Sequence, residues 1–165
     1  MKKTILLLAF IISQFFCNGQ WLFNNFENSF GMEVIIGDSS MDSIWQIGVP
    51  QKTIFNSANS APNAILTDTL NSYPPNTSST FILEIDEDVL FGFPFIQVEW
   101  QQKFDVEIGV DGGIVEASYD GGVTWQNVLS DTVYRPFVVG SYQIDPLFNG
   151  EIGFTGMLDL SLIHI

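Results

Sequence analysis

Short apolar runs separated by turn-forming residues are the feature of this sequence that most limits its fold. From residue 21 onward, no segment repeats apolar residues at the spacing of an amphipathic helix. Short runs, several of them alternating apolar and polar, are instead bounded by Gly, Pro, Asn, Asp and Ser. This pattern predicts an all-β fold, an antiparallel β-sandwich or barrel built from many short strands.

The predicted strands can be placed on the sequence. They cover residues 32–36, 44–47, 64–67, 80–85, 95–104, 114–119, 123–129 and 137–139. The clearest alternation places Ile96, Val98 and Trp100 on one face, so this face is predicted to be core and the other to meet solvent or ligand. Trp125 is likewise predicted to be a core residue, because aromatic side chains at strand spacing are more often packed than exposed.

The N-terminus has the pattern of a secretory signal peptide. Lys2 and Lys3 precede an apolar stretch over residues 5–16 that is too short to span a membrane. We predict a signal peptide over residues 1–20 and one domain over residues 21–159, secreted to the extracellular space or the outer-membrane surface. Lipid attachment at Cys17 stays an alternative, although the two phenylalanines before it are not the small residues that such sites carry.

Charge and cysteine content narrow the possible partners. Without the signal peptide the chain has no cysteine, so the domain must fold without disulfides. It keeps three basic residues against 19 acidic ones, a net charge of −16. Nucleic acid and anionic membranes are therefore excluded as expected partners. Such acidity suits an extracellular medium that contains calcium, and solubility alone is the alternative explanation.

The C-terminal residues 160–165 differ in origin from the rest. Their sequence, Leu-Ser-Leu-Ile-His-Ile, can be encoded by a transposon end that is used in sequencing libraries. We therefore expect the natural chain to continue past Asp159. His164, the only histidine, lies in this segment, so neither a catalytic triad nor a zinc site can be based on it.

The octet at residues 118–125, Ser-Tyr-Asp-Gly-Gly-Val-Thr-Trp, predicts a tight hairpin. The two glycines supply the positive φ of the turn, Asp120 can accept hydrogen bonds from the turn's own N–H groups, and Trp125 can fold over it. The octet also matches the Asp-box pattern of sialidases and related propellers. It occurs once in this chain, which argues against a propeller.

Several blocks of residues resemble one family when they are taken in order. The blocks are residues 45–50, 54–58, 64–73, 104–113, 115–125 and 148–156. They resemble the "WQWGTP", "INSA", "AWVTNLDGNY", "F..E...DGG", "VEISxDGGxTW" and "GQPGFTGTS" blocks of MAM-like, concanavalin-type jelly-roll modules in large secreted proteins of Bacteroidetes. The resemblance spans residues 23–159, with a departure at Ile65-Leu66, where the family has an aromatic residue.

The resemblance implies an antiparallel jelly roll that lacks its last strands. It implies a non-catalytic, secreted or cell-surface module for adhesion or carbohydrate binding, with an extracellular glycan or protein as ligand. Such modules belong to longer multidomain chains that are exported by the type IX route, which reads a C-terminal sorting domain. The alternative is an accessory domain of an extracellular peptidase or glycoside hydrolase.

Carboxylates and tyrosines supply the candidate sites. Asp105 and Glu107 share one face of an extended segment, and Asp111 follows across a glycine turn. Glu27, in a Phe-Glu pair that resembles the opening of the module, could join them. Calcium, which takes roughly six to eight oxygen ligands, suits this set, and a solvated acidic face is the alternative. Tyr73 and Tyr119 are the candidate ligand-binding aromatics.

Residues 84–88, Glu-Ile-Asp-Glu-Asp, resemble the acidic strand of concanavalin-like glycoside hydrolases. Retaining hydrolysis needs two carboxyl groups about 5 to 5.5 Å apart. Residues four apart on one strand are separated by roughly 13 Å. We therefore predict that the chain is not an enzyme.

Overall fold

The computed structural model describes residues 22–37, 43–86, 88, 96–131 and 143–164. The chain divides into two compact units, Met1–Phe91 and Gly92–Ile165. Within the described residues, twelve strands pair into six two-stranded antiparallel ladders. The prediction of an all-β chain is therefore confirmed.

The strands divide equally between the two units. Those of the first unit are β1 Phe23–Asn24, β2 Ser29–Phe30, β3 Met32–Ile36, β4 Trp45–Gly48, β5 Ala64–Thr67 and β6 Phe81–Ile85. Those of the second unit are β7 Glu99–Asp105, β8 Glu116–Ala117, β9 Gln126–Asn127, β10 Ile144–Pro146, β11 Ile152–Phe154 and β12 Met157–His164.

The β3–β6 ladder is the most regular part of the first unit. Its five cross-strand pairs run without a break from Met32 opposite Ile85 to Ile36 opposite Phe81. Both strands alternate between half-buried and exposed residues, as a sheet with one solvent face requires. Trp45 of β4 packs edge-on against Phe81, with 4.8 Å between the ring centroids. The tryptophan indole N–H donates to a backbone carbonyl, that of Ser79, at 3.1 Å.

The core of the second unit is small. Among the described residues, the buried hydrophobic side chains are Val128, Leu129 and Phe154. Val128 and Leu129 lie in the turn after β9, where the side chain of Asn127 fixes the backbone by accepting from Leu129 N at 2.9 Å. Trp100 packs against this cluster, as its position in the predicted core face requires.

The β7–β12 pairing changes register once. Met157 lies opposite Asp105, whereas Ser161 lies opposite Gln102, so one extra residue enters β12 between Leu158 and Ser161. Such a bulge bends its strand and increases the local twist. The second part of β12 is formed by residues 160–164. These are residues whose sequence can be encoded by the transposon end named above.

Several predicted strands are longer than the observed ones. The prediction over 95–104 is wrong at its start, because residues 96–98 are not in a strand and Ile96 is 48% exposed. The reason is that the ladder with β12 ends at the pair of Glu99 and His164. The predicted strands 114–119 and 123–129 shrink to β8 and β9, since the turn between them takes up residues 118–125.

Some sequence predictions lie outside the described residues. These are the signal peptide over residues 1–20 and the strand at 137–139. Within the described ranges, no helix is long and apolar enough to cross a membrane.

We expect Leu129→Ala to lower the free energy of unfolding by about 2–5 kcal/mol, because the substitution leaves a cavity in a fully buried site. Leu70→Ala is the matched control, since Leu70 is 60% exposed and its truncation should change stability by no more than about 0.5 kcal/mol. Equilibrium denaturation in urea measures both. Equal effects of the two substitutions would contradict the assignment of this core.

Candidate functional site

The turn between β8 and β9 is held by its own side chains. The Asp120 carboxylate accepts hydrogen bonds from the Thr124 backbone N–H at 2.8 Å and from the Thr124 hydroxyl at 2.6 Å. The Ser118 hydroxyl donates to the same carboxylate at 2.9 Å and accepts from Gly122 N at 2.8 Å. These bonds join Ser118, at the start of the turn, and Thr124, near its end, to the Asp120 carboxylate. The sequence predicts this for a hairpin capped by Asp120.

Glycine and tryptophan complete this turn. Gly121 and Gly122 have φ angles of 71° and 85°. Residues other than glycine rarely adopt this region. The Trp125 indole N–H donates to the Gly122 carbonyl at 3.1 Å. The prediction that Trp125 is a core residue is wrong: the side chain is 42% exposed, because its ring lies on the turn.

Hydrogen bonds also lower the pKa of the Asp120 carboxyl group. The pKa of Asp120 is lowered to about 2, chiefly by the Thr124 hydroxyl and backbone N–H and then by the Ser118 hydroxyl. All of these groups favour the charged carboxylate over the neutral acid. Asp120 therefore stays ionised over the whole physiological pH range.

The two candidate tyrosines have different environments. Tyr119, on the turn, is 69% exposed, and Val123 on the same turn is 79% exposed. Tyr73 is half-buried in the loop between β5 and β6. The start of that loop is fixed by Asp68, whose carboxylate accepts from Asn71 N at 3.0 Å and from Leu70 N at 2.8 Å. Tyr119 is thus the more accessible of the two candidates.

Three of the residues predicted to bind calcium lie at the end of β7, which Asp105 closes, and in the loop that follows it, which carries Glu107 and Asp111. The side chains of Asp105, Glu107 and Asp111 are all exposed. The loop's backbone carbonyls, however, turn inward to Thr155, which is fully buried. The Thr155 hydroxyl lies 2.9 Å from the carbonyl oxygen of Asp111 and 3.3 Å from that of Glu107, and it accepts from Gly109 N at 2.9 Å. These two carbonyls are therefore engaged within the protein.

The fourth predicted calcium ligand, Glu27, lies in the first unit and has a partner there. Its carboxylate accepts from the backbone N–H of Asn63 at 2.7 Å. Across the described ranges, no three His, Cys, Asp or Glu side chains are grouped so that they could hold a metal ion. The calcium site thus stays a prediction from the sequence. The role of Thr155 was missed, because a single threonine inside a turn gives no pattern that distinguishes it from a solvent-exposed one.

The acidic segment that resembles a hydrolase strand is interrupted. Strand β6 ends at Ile85, before the last acids of the segment. The Asp86 carboxylate accepts from the backbone N–H of Asp88 at 2.9 Å, a local turn contact. Glu84 remains on the strand, directly opposite Glu33 of β3. Glu87 lies outside the described residues.

We expect the Asp120 carboxyl group to titrate near pH 2, because its hydrogen bonds favour the charged form. The ordinary aspartate pKa is about 3.9, so the stabilising effect should be complete above that pH and lost as pH falls toward 2. Wild type should therefore be more stable than Asp120→Asn at pH 5 and converge with it near pH 2. Carboxyl carbon NMR and denaturation at several pH values measure both.

Thr124→Val tests the cause of this pKa shift. It removes the hydroxyl donor but keeps the backbone donor, so the pKa of Asp120 should rise toward its ordinary value. A titration of Asp120 near pH 4 in the wild type would contradict the described turn.

A scan against protein-family models, a search of the curated proteins and a search of the solved structures each found no match to this chain. The resemblance to MAM-like jelly-roll modules therefore stays a prediction from the sequence. A functional argument has to rest on the contacts within the chain. Among the described residues, the capped turn that carries Tyr119 is held by such contacts and exposes an aromatic side chain.

Proposed function

We propose that this chain is a non-catalytic binding module of a secreted or cell-surface protein, which recognises an extracellular glycan or protein. The observation that carries the proposal is the Asp120 turn. It presents Tyr119 with 69% of its surface exposed, while the turn's polar groups bond to one another. Exposed aromatic residues on rigid turns are suited to recognition, because little conformational entropy is lost when a ligand binds.

The chemistry of Tyr119 favours a carbohydrate ligand. A tyrosine ring offers a flat apolar face and a hydroxyl at its edge. A sugar ring has a complementary form, with C–H groups on one face and hydroxyls around its rim. Val123, which is 79% exposed, adds a second exposed apolar side chain to the same turn.

The proposal also covers location and architecture. Secretion is supported by the predicted signal peptide and by the net charge of −16 that remains without it. A jelly-roll arrangement is supported by the antiparallel pairing of the described ladders and by the order of the family-like blocks. In this proposal the module is one part of a longer multidomain protein.

Binding to immobilised polysaccharides and to a glycan array tests the proposal. We expect Tyr119→Ala to weaken binding about fivefold or more, the effect of removing an aromatic contact worth over about 1 kcal/mol. Tyr119→Phe should keep most of the affinity, since it retains the ring. Tyr73→Ala, at the second candidate, should weaken binding less, because Tyr73 is half-buried in a different loop.

Two results would contradict the proposal. One is that the protein binds no glycan and no extracellular matrix protein. The other is that Tyr73→Ala and Tyr119→Ala reduce binding equally while circular dichroism shows both variants folded, because the turn would then have no special role.

A further inference from the structure

We propose that Asn149 is a site of spontaneous covalent modification, where loss of the side-chain nitrogen as ammonia and addition of water give aspartate and isoaspartate. This reaction is open to an asparagine or aspartate that precedes glycine, because the glycine nitrogen attacks without hindrance from a β-carbon. Beyond the predicted signal peptide, the sequence has three such pairs, at residues 111–112, 120–121 and 149–150. The hydrogen bonds around the three pairs differ, and they favour reaction at Asn149.

Asn149 lies in the turn that joins β10 to β11. The Gly150 N–H donates to the Leu147 carbonyl at 2.8 Å, and the Leu147 N–H donates to the Glu151 carbonyl at 2.8 Å. Gly150 has a φ angle of 85°, as in hairpin loops that end in a left-handed glycine. The side chain of Asn149 is exposed, and that of the neighbouring Phe148 is 88% exposed. Water therefore reaches the Asn149 side chain.

Both ends of the Asn149 amide group are held by Glu151. The amide oxygen Oδ1 accepts from the Glu151 backbone N–H at 3.0 Å, and Nδ2 donates to the Glu151 carboxylate at 2.6 Å. The first bond is an Asx turn, which folds the side chain forward along the Gly150 peptide unit. The side-chain carbonyl carbon is therefore held on the side of the Gly150 nitrogen. Orientation of this kind lowers a reaction barrier, because the reacting groups need little further ordering.

The first step is attack of the Gly150 nitrogen on the side-chain carbonyl carbon of Asn149. Negative charge develops on Oδ1, where the Glu151 N–H already donates, and a donor at that atom stabilises the charge. A bond forms between the Gly150 nitrogen and the carbonyl carbon, and the bond from this carbon to Nδ2 breaks. Nδ2 leaves as ammonia with the proton that the Gly150 nitrogen gives up. The product is a five-membered succinimide ring.

The second step is opening of this ring by water. The hydroxyl of the water adds to one of the two ring carbonyl carbons, and its other proton goes to the Gly150 nitrogen as the bond between them breaks. Addition at the side-chain carbon gives aspartate, and addition at the backbone carbon gives isoaspartate. Both products carry a new negative charge, and isoaspartate also lengthens the main chain of the turn by one atom.

Asp120 precedes a glycine too, but its hydrogen bonds protect it. The glycine nitrogen attacks the neutral acid, because the ionised carboxylate has no leaving group. The Thr124 hydroxyl and backbone N–H hold the carboxylate in its ionised form and lower its pKa to about 2. At neutral pH the neutral acid is therefore roughly a hundredfold scarcer than in an ordinary aspartate with a pKa of about 3.9.

Asp111, in the third pair, is restrained by its backbone. Its carbonyl oxygen lies 2.9 Å from the hydroxyl of the buried Thr155. A β-carbon on Gly112 would lie 2.3 Å from the Phe154 carbonyl oxygen, so the two backbones are in close contact. Ring closure rotates the peptide unit between Asp111 and Gly112, which would disturb both contacts. The folded chain therefore slows the reaction at this pair.

The experiment is an incubation of the full-length protein in mildly alkaline buffer, with peptide mapping by mass spectrometry at intervals. Fragmentation that distinguishes isoaspartate from aspartate identifies the products. The same protein unfolded in guanidinium chloride is the reference. We expect Asn149 to react in the folded protein at a rate within about tenfold of the unfolded rate, a barrier difference of no more than about 1.4 kcal/mol. Asp111 and Asp120 should form isoaspartate at least about tenfold more slowly in the folded protein than in the unfolded one.

Two variants separate the effect of the structure from that of the sequence. Asn149→Gln should abolish modification at this position, because its longer side chain would have to close a six-membered ring. Thr124→Val removes a hydrogen bond to Asp120 and leaves the β10–β11 turn unchanged. It should raise the rate at Asp120 about fivefold or more in the folded protein and leave the rate at Asn149 unchanged, with circular dichroism as the check on folding.

Three results would overturn the inference. The first is an Asn149 that stays intact in the folded protein while it reacts in guanidinium chloride. The second is isoaspartate at Asp120 that forms in the folded wild type as fast as the products at Asn149. The third is ammonia release from the folded protein that is the same in wild type and in Asn149→Gln.

Discussion

The buried hydroxyl of Thr155 organises the second unit. It lies at the junction of β11 and β12, and it contacts the backbone of the loop at Glu107, Gly109 and Asp111. Each of these is a polar group that would otherwise need water. Next to it, Phe154 exchanges two backbone hydrogen bonds with Gly113 while its ring enters the core. Residues 154 and 155 thus connect the loop after β7, the β10–β11 ladder and the hydrophobic core of the second unit.

Close backbone packing accompanies this arrangement. A β-carbon added to Gly112 would lie 2.3 Å from the Phe154 carbonyl oxygen and 2.6 Å from a methyl group of Leu147. No side chain fits there, so Gly112 is needed for the approach of the loop to β11, whereas a β-carbon on Gly113 would meet no atom within 4 Å. In other turns, side-chain caps hold the backbone: Asn25, Asp68 and Asp120 each accept backbone N–H groups. The turn that carries Tyr119 is one of these.

The strands and the turn that could be predicted from the sequence are those determined by neighbouring residues. Strands β3 and β5 were predicted at their observed bounds, since each is a short run of β-branched and apolar residues beside turn formers. The Asp120 turn is predicted with its capping contacts, because the carboxylate and its donors lie within eight consecutive residues. Strands β1, β2, β10 and β11 were missed, since runs of two or three residues contain no period.

One remaining difference depends on contacts between distant residues: β7 begins at Glu99, which pairs with His164 of β12. The exposure of Trp125 has a local cause, because its indole N–H bonds to Gly122 within the same turn. The octet pattern indicates that contact, whereas the argument from strand spacing assigns the ring to the core. The calcium site, which combines carboxylates with neighbouring backbone carbonyls, stays a prediction. Two of those carbonyls, at Glu107 and Asp111, lie within hydrogen-bond distance of the Thr155 hydroxyl, more than forty positions away along the chain.

The facing pair of Glu33 and Glu84 makes the strand pairing of the first unit depend on the salt concentration of its medium. Like charges directly opposite each other on an antiparallel ladder repel. Mobile ions weaken that repulsion over a Debye length of about 8 Å at physiological ionic strength and about 30 Å at 0.01 M. The β3–β6 ladder is therefore more firmly paired in a saline environment than in dilute fresh water.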